Sequence, residues 1–135
     1  MRDYRKLSVW HKAHALTLAI YETTQGFPPS ERFGLVPQMR RAASSVPSNL
    51  AEGCGRGSDA DFARFVRIAA GSVNELEYQC LLARDLHYLP AAHADERMRE
   101  CAEIRRMLVG LLSSLVPPTP HPPSPRSTPP DEDAR

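Results

Sequence analysis

Apolar residues recur along this chain at spacings of three and four, the period of one helix face. From Ser8 to Gln25 the series is Val9, Ala13, Leu16 and Ile20, with Trp10, Thr17 and Tyr21 beside it. The prolines of GFPP end it, because proline cannot continue the hydrogen-bond ladder. A second series, Leu35, Met39, Ala42, Val46 and Leu50, predicts a helix from Ser30 or Leu35 to Cys54. Pro37 suits its first turn. Pro47 falls in mid-pattern, so a kink is expected, with Ser44 and Ser45 as donors to the carbonyl it frees. Gly53, Gly55 and Gly57 then break the helix.

Ser58 is a good N-cap for a third helix, with Asp59 and Asp61 facing its positive end. Phe62, Val66, Ala69, Val73, Leu76, Cys80 and Ala83 carry the stripe to Leu86 or His87. A fourth helix is predicted from Ala92 to Leu115 on Ala94, Met98, Cys101, Ile104, Leu108, Leu111 and Leu115. No strand alternation appears. The links FPPSER, CGRG and HYLPAA are short, which forces antiparallel neighbours. The expected fold is an all-α, up-down-up-down four-helix bundle over residues 1–116.

Residues 117–135 break the pattern. Eight of the chain's 13 prolines fall there, with no Leu, Ile, Val or Phe. Such a segment buries too little apolar surface to offset its ordering entropy, so a disordered tail is expected. The pairs Pro117–Pro120 and Pro122–Pro125 match PxxP spacing, but a solvated tail explains them as well.

The net charge is +1. The basic excess sits in residues 1–70, the side suited to a polyanion. No continuous apolar run suggests a membrane span or a signal peptide. Cys54, Cys80 and Cys101 are odd in number and form no CxxC, which reads as buried free thiols in a cytoplasmic protein.

Tyr78, Leu81, Leu82 and Leu89 lie outside the main stripe of the third helix. A second apolar face suggests a subunit contact, although Leu82 and Tyr78 could simply widen the core. Arg40 and Arg41 on the second helix, with Arg56, Arg64 and Arg67 round the corner, form the candidate nucleic-acid surface. Arg2, Arg5, Lys6 and Lys12 are placed to extend it. Guanidinium groups grip phosphates bidentately. No aromatic side chain is read as part of this arginine set, so backbone contact rather than base stacking is expected. The competing reading is internal pairing, of Arg41 with Glu75 or Glu77 and of Arg64 with Asp61.

Catalytic chemistry finds little support. Glu52, Glu75, Glu77, Glu100 and Glu103 lack the Glu-x-x-His pairs of a di-metal bundle. With Asn49, the first three are expected to serve the Pro47 kink or contacts across helices and subunits. His11 and His14 share a face without a third ligand. Arg5 and His11 match the Arg-x5-His spacing of a helical ribonuclease, but these are two common residues at a loose spacing. GCGRG lacks the lysine and strand of a phosphate loop. No enzyme activity, metal or cofactor is expected.

The segments LSVWHKAHALTLAIYETTQGFPPSERFGLVPQMRRAASSVPSNLAEGCGRGS and FARFVRIAAGSVNELEYQCLLARDLHYL resemble the bacterial four-helix bundle proteins, also called 23S rRNA intervening-sequence proteins. The resemblance covers residues 5–90 and leaves out the tail. It implies a barrel-shaped homopentamer with no established catalytic activity. A related branch, the accessory protein of diversity-generating retroelements, implies RNA or DNA and a reverse transcriptase as partners. The expected function is a homo-oligomer that binds nucleic acid. The alternative is an adaptor that binds a protein such as a reverse transcriptase without touching nucleic acid.

Overall fold

The computed structural model describes residues 2–115, so the predicted tail at 117–135 lies outside the described residues. Four helices follow in order: α1 (Ser8–Thr24), α2 (Leu35–Cys54), α3 (Asp59–Asp85) and α4 (Ala91–Leu115). Among the described residues there is no strand. Each helix packs against the next, and α4 returns to α1, which closes an antiparallel up-down bundle. The core is the predicted stripe set except at Met98, Leu111 and Leu115 of α4, which are only partly buried. Ile20, Met39, Leu50, Phe62, Val66, Val73, Leu76 and Leu108 are all fully buried.

The helix ends show their causes. Ser58 Oγ accepts the Asp61 amide at 3.1 Å, and Asp59 and Asp61 occupy the first turn of α3. Of the two predicted starts for α2, Leu35 is the observed one. Pro29–Glu31 forms a separate single turn of 3-10 helix. Glu31 links the two, because its Oε1 accepts the Leu35 amide at 3.1 Å. The Tyr88 hydroxyl donates to its other oxygen at 2.7 Å. That bond, more than the Leu35 amide, holds the Glu31 carboxyl below its usual range, and it raises the Tyr88 phenol. A Cβ on Gly34 would stand 2.6 Å from Glu31 Oε1, so glycine makes room for the cap.

α3 stops at Asp85, before the expected Leu86 or His87. His87 adopts φ 62°, in the left-handed region. Its amide bonds the Arg84 carbonyl at 3.0 Å, and the Tyr88 amide bonds that of Ala83 at 2.9 Å. This pair of bonds makes a Schellman ending, with histidine where glycine is usual.

Pro47 sits buried inside a continuous α2. Its ring removes the bond to the Ala43 carbonyl. The expected donors, Ser44 and Ser45, do not fill that place. Thr17 Oγ1, on α1, lies 3.1 Å from Ala43 O and 2.8 Å from Ala13 O. The donor within reach of the freed acceptor therefore comes from another helix, its one hydroxyl proton shared with Ala13 O. Ser44 turns to Arg41 O at 3.3 Å. Ser45 instead joins a polar chain across α2 and α3, with Ser72 Oγ at 2.8 Å and Asn49 Nδ2 at 2.9 Å. Asn49 itself stays within α2, donating to Ser45 O at 2.7 Å and to Ser45 Oγ, and the crossing to α3 is made by Ser45 and Ser72. Glu52, Glu75 and Glu77 bond to Arg56, Gln79 and Arg105, and only the last of these bonds crosses helices.

Candidate nucleic-acid interface

The end of the bundle where α2 meets α3 is built by close backbone approach. Gly53 packs against α3, where an added Cβ would stand 2.8 Å from both Phe62 Cδ2 and Phe65 Cβ. The N-terminal residues are tied to the same end. Arg2 donates its amide to Cys54 O at 3.1 Å, and Tyr4–Lys6 form a 3-10 turn capped by Asp3.

Three aromatic contacts then fix three arginines. The Arg2 guanidinium lies 4.7 Å from the Phe62 ring centre and pairs with Asp59. Arg56 and Arg64 share the Phe65 ring at 4.9 Å and 4.6 Å. Arg56 also reaches Glu52 at 3.2 Å, and Arg64 reaches Asp61 at 3.9 Å. These pairs are open to solvent, with the Arg56 and Arg64 side chains 44% and 57% exposed. Exposed pairs are worth only about 0–1 kcal/mol and exchange readily. Arg67 lies one turn along α3 and is exposed. Arg5, Lys6 and Arg67 have no ion-pair partner among the described residues.

The structure seats Arg2, Arg56 and Arg64 at this corner, with Arg67 one turn along α3 from Arg64 and Arg5 and Lys6 in the 3-10 turn that follows Arg2, and it separates the rest. Arg40 is bound elsewhere: its Nε donates to Thr24 Oγ1 at 2.9 Å, its Nη2 to Tyr21 O at 3.2 Å, and it covers the Tyr21 ring. Arg41, beside it, is exposed and near the far end of α2. Arg40 and Arg56 stand about 24 Å apart along the helix axis. Lys12 does not extend the corner, because it pairs with Glu103 of α4 at 2.7 Å. Of the competing pairings, Arg64 with Asp61 is present. The proposed Arg41 pairs are not, since Glu77 bonds Arg105 at 2.8 Å and Glu75 accepts from Gln79 at 3.3 Å.

The aromatic anchors were missed in the sequence. Phe62 reads as a core residue and Phe65 has no assigned role in the sequence pattern; both are buried, 0% and 5% exposed. Their rings nevertheless seat the arginines from below. The signal was their place in the sequence, Phe62 between Arg56 and Arg64 and Phe65 between Arg64 and Arg67, although the Arg56 contact forms only once α2 and α3 pack.

The residues named for an oligomer contact divide. Tyr78 is 60% exposed, whereas Leu81 and Leu82 are half-buried and Leu82 packs on the core. Leu82 therefore does widen the core stripe. Ile68 and Tyr78 are exposed on α3, and Leu86 follows just past its end. Ile68 and Leu86 are 43% and 44% exposed. A second apolar strip, Leu18 and Tyr21, lies on α1, across the bundle.

The remaining polar features are already satisfied or enclosed. His11 Nε2 meets Arg5 O at 2.6 Å, and His14 stacks on Trp10. No group of three metal-ligating side chains occurs among the described residues. A groove of about 290 Å³ between α1 and α4 is lined by Lys12, Leu16, Arg97, Glu100, Glu103 and Ile104. Lys12 and Glu103 pair across it at 2.7 Å, and Arg97 lies 3.1 Å from Glu100 on α4 itself. Desolvation raises the Glu100 carboxyl, which Arg97 partly offsets. All three thiols are buried, and burial pushes Cys80 up to about 12. No described helix is long and apolar enough to cross a membrane.

Comparison with known proteins agrees with this architecture. No curated protein matches the chain. A solved structure of a protein of unknown function from the S23 ribosomal protein family of Bacteroides thetaiotaomicron superposes with a TM-score of 0.70. It is 23% identical and covers 77% of this chain and 97% of its own, a likeness of fold. The profile of the 23S rRNA-intervening sequence proteins matches residues 5–110. With that match spanning most of the chain, the protein belongs to the 23S rRNA-intervening sequence protein family.

Proposed function

We propose that this chain is a non-enzymatic, self-associating bundle that binds the backbone of RNA or DNA through its arginine corner. The observation that carries the reading is the seating of Arg2, Arg56 and Arg64 on two buried phenylalanine rings, with their guanidinium edges open to solvent. The segments that meet there carry six cations (Arg2, Arg5, Lys6, Arg56, Arg64 and Arg67) against the four carboxylates of Asp3, Glu52, Asp59 and Asp61. A phosphate displaces a weak exposed carboxylate partner and takes a bidentate guanidinium bond. The rings lie beneath the arginines, so bases find no stacking surface. Binding is therefore tolerant of sequence.

Self-association draws on the two exposed apolar strips, Ile68, Tyr78 and Leu86 on α3 and just past its end, and Leu18 and Tyr21 on α1. Two different strips on diagonal helices suit a head-to-tail contact, which closes into a ring. The homopentamer implied by the family resemblance is such a ring. Three unpaired thiols fit a reducing cytoplasm. Light scattering at micromolar concentration tests the assembly. The expected mass is near five times the 15.0 kDa chain, and a monomer mass contradicts it.

Fluorescence anisotropy with a labelled single-stranded RNA tests the binding. Replacing Arg64 and Arg67 together with Gln keeps side-chain length and helix propensity while removing charge. The affinity at low salt is expected to fall roughly tenfold with helicity and mass unchanged. Equal binding by the double variant places the contact on another surface.

A further inference from the structure

We infer that the acidic run Asp131, Glu132 and Asp133 docks on the arginine corner of its own chain and competes there with other polyanions. Reach follows from the register of α3 and α4. Arg105 pairs with Glu77 at 2.8 Å, and the two helices are antiparallel. At ~1.5 Å per residue, Leu115 stands about level with Arg67 on the neighbouring helix. Packed helices lie ~8–10 Å apart, so α4 ends beside the corner. The stretch of chain from Leu115 to Asp131 spans at most about 55 Å. The start of α3 is roughly 12 Å further along its axis than Arg67, well within that reach.

Charge supplies the attraction. The three carboxylates are adjacent in sequence, and the corner holds a cation excess. Arg5, Lys6 and Arg67 have no ion-pair partner among the described residues, and the pairs made by Arg2, Arg56 and Arg64 are exposed ones. A tethered ligand of this length has an effective concentration on the order of millimolar. A contact with a dissociation constant of about 0.5 mM then weakens binding of a competing polyanion about threefold. The consequence for nucleic acid rests on the proposed function, whereas the docking stands on reach and charge alone.

A nitroxide at Ala134→Cys in the full chain reports the docking directly. The native thiols are buried, so the label goes to the new cysteine. The expected result is broadening of the Arg56, Arg64 and Arg67 amide signals at low salt. The broadening is lost in about 0.5 M salt and in the Asp131→Asn, Glu132→Gln, Asp133→Asn variant. Broadening that is absent, or unchanged in that variant, overturns the docking. A labelled single-stranded oligouridylate is then titrated into both chains. Affinity about threefold tighter for the neutralised variant supports the competition, and equal affinity overturns it. If the corner signals broaden but the oligouridylate binds neither chain, the docking stands and the nucleic-acid reading fails.

Discussion

Thr17 looks like an incidental polar residue beside an apolar stripe, yet it closes a defect that Pro47 opens in another helix. Its hydroxyl stands 3.1 Å from the Ala43 carbonyl, whose intrahelical donor the proline has removed. Thr17→Val keeps the shape and deletes the donor. A buried carbonyl left without a partner costs about 1–2 kcal/mol. Urea denaturation should show that loss with an unchanged m-value, and an undiminished midpoint would show that another group serves the carbonyl. His87 carries the opposite expectation. A side chain in the left-handed region costs about 1 kcal/mol relative to glycine. His87→Gly should therefore raise stability by up to that amount, read by the same titration. A loss would mean that the imidazole makes a stabilising contact. The Pro47 defect was legible in the sequence, but its remedy was not. Donors were sought among the serines next to the proline, while the donor stands on a helix met only after folding.

Element boundaries followed closely from capping and from proline, because those signals act within a few residues. Ser58 is the clearest case, its side chain bonding the third residue of α3. The end of α3 was harder to place, since histidine rarely marks a left-handed ending. The outer face of α3 was read as one interface, and only part of it is exposed. Tyr78 stands out, while Leu82 turns inward to the core. Periodicity assigns a direction to a side chain but cannot say how far the neighbouring helix covers it. The junction of α2 and α3 gives a sharper test. Gly53→Ala brings a Cβ to 2.8 Å from the Phe62 and Phe65 side chains. Better helix propensity gains about 1 kcal/mol, and overpacking at so tight a contact costs about 1–3 kcal/mol. The melting temperature should fall. A rise would show that the two helix ends separate without strain, and would weaken the case for Phe65 as a fixed seat for Arg56 and Arg64.

At the scale of the molecule, the bundle was legible because short links and a single repeated period leave little choice of topology. The candidate site was half legible. Arg56, Arg64 and Arg67 lie close in sequence and close in space, so counting charge found them. Arg40 looked equivalent and is not, because the end of α1 holds its guanidinium. Arg2 gains its place only on folding, through its amide bond to Cys54 O and its contacts with Phe62 and Asp59. The claim that most needs testing is that this corner engages phosphates. The direct measurement is the affinity of the full chain for a single-stranded RNA between about 50 and 200 mM salt. Three or four engaged phosphates should make log affinity fall linearly with log salt, at a slope of roughly −2 to −3. A flat dependence, or no binding at the lowest salt, would contradict nucleic-acid recognition by the corner. In that case a protein partner such as a reverse transcriptase becomes the ligand to seek.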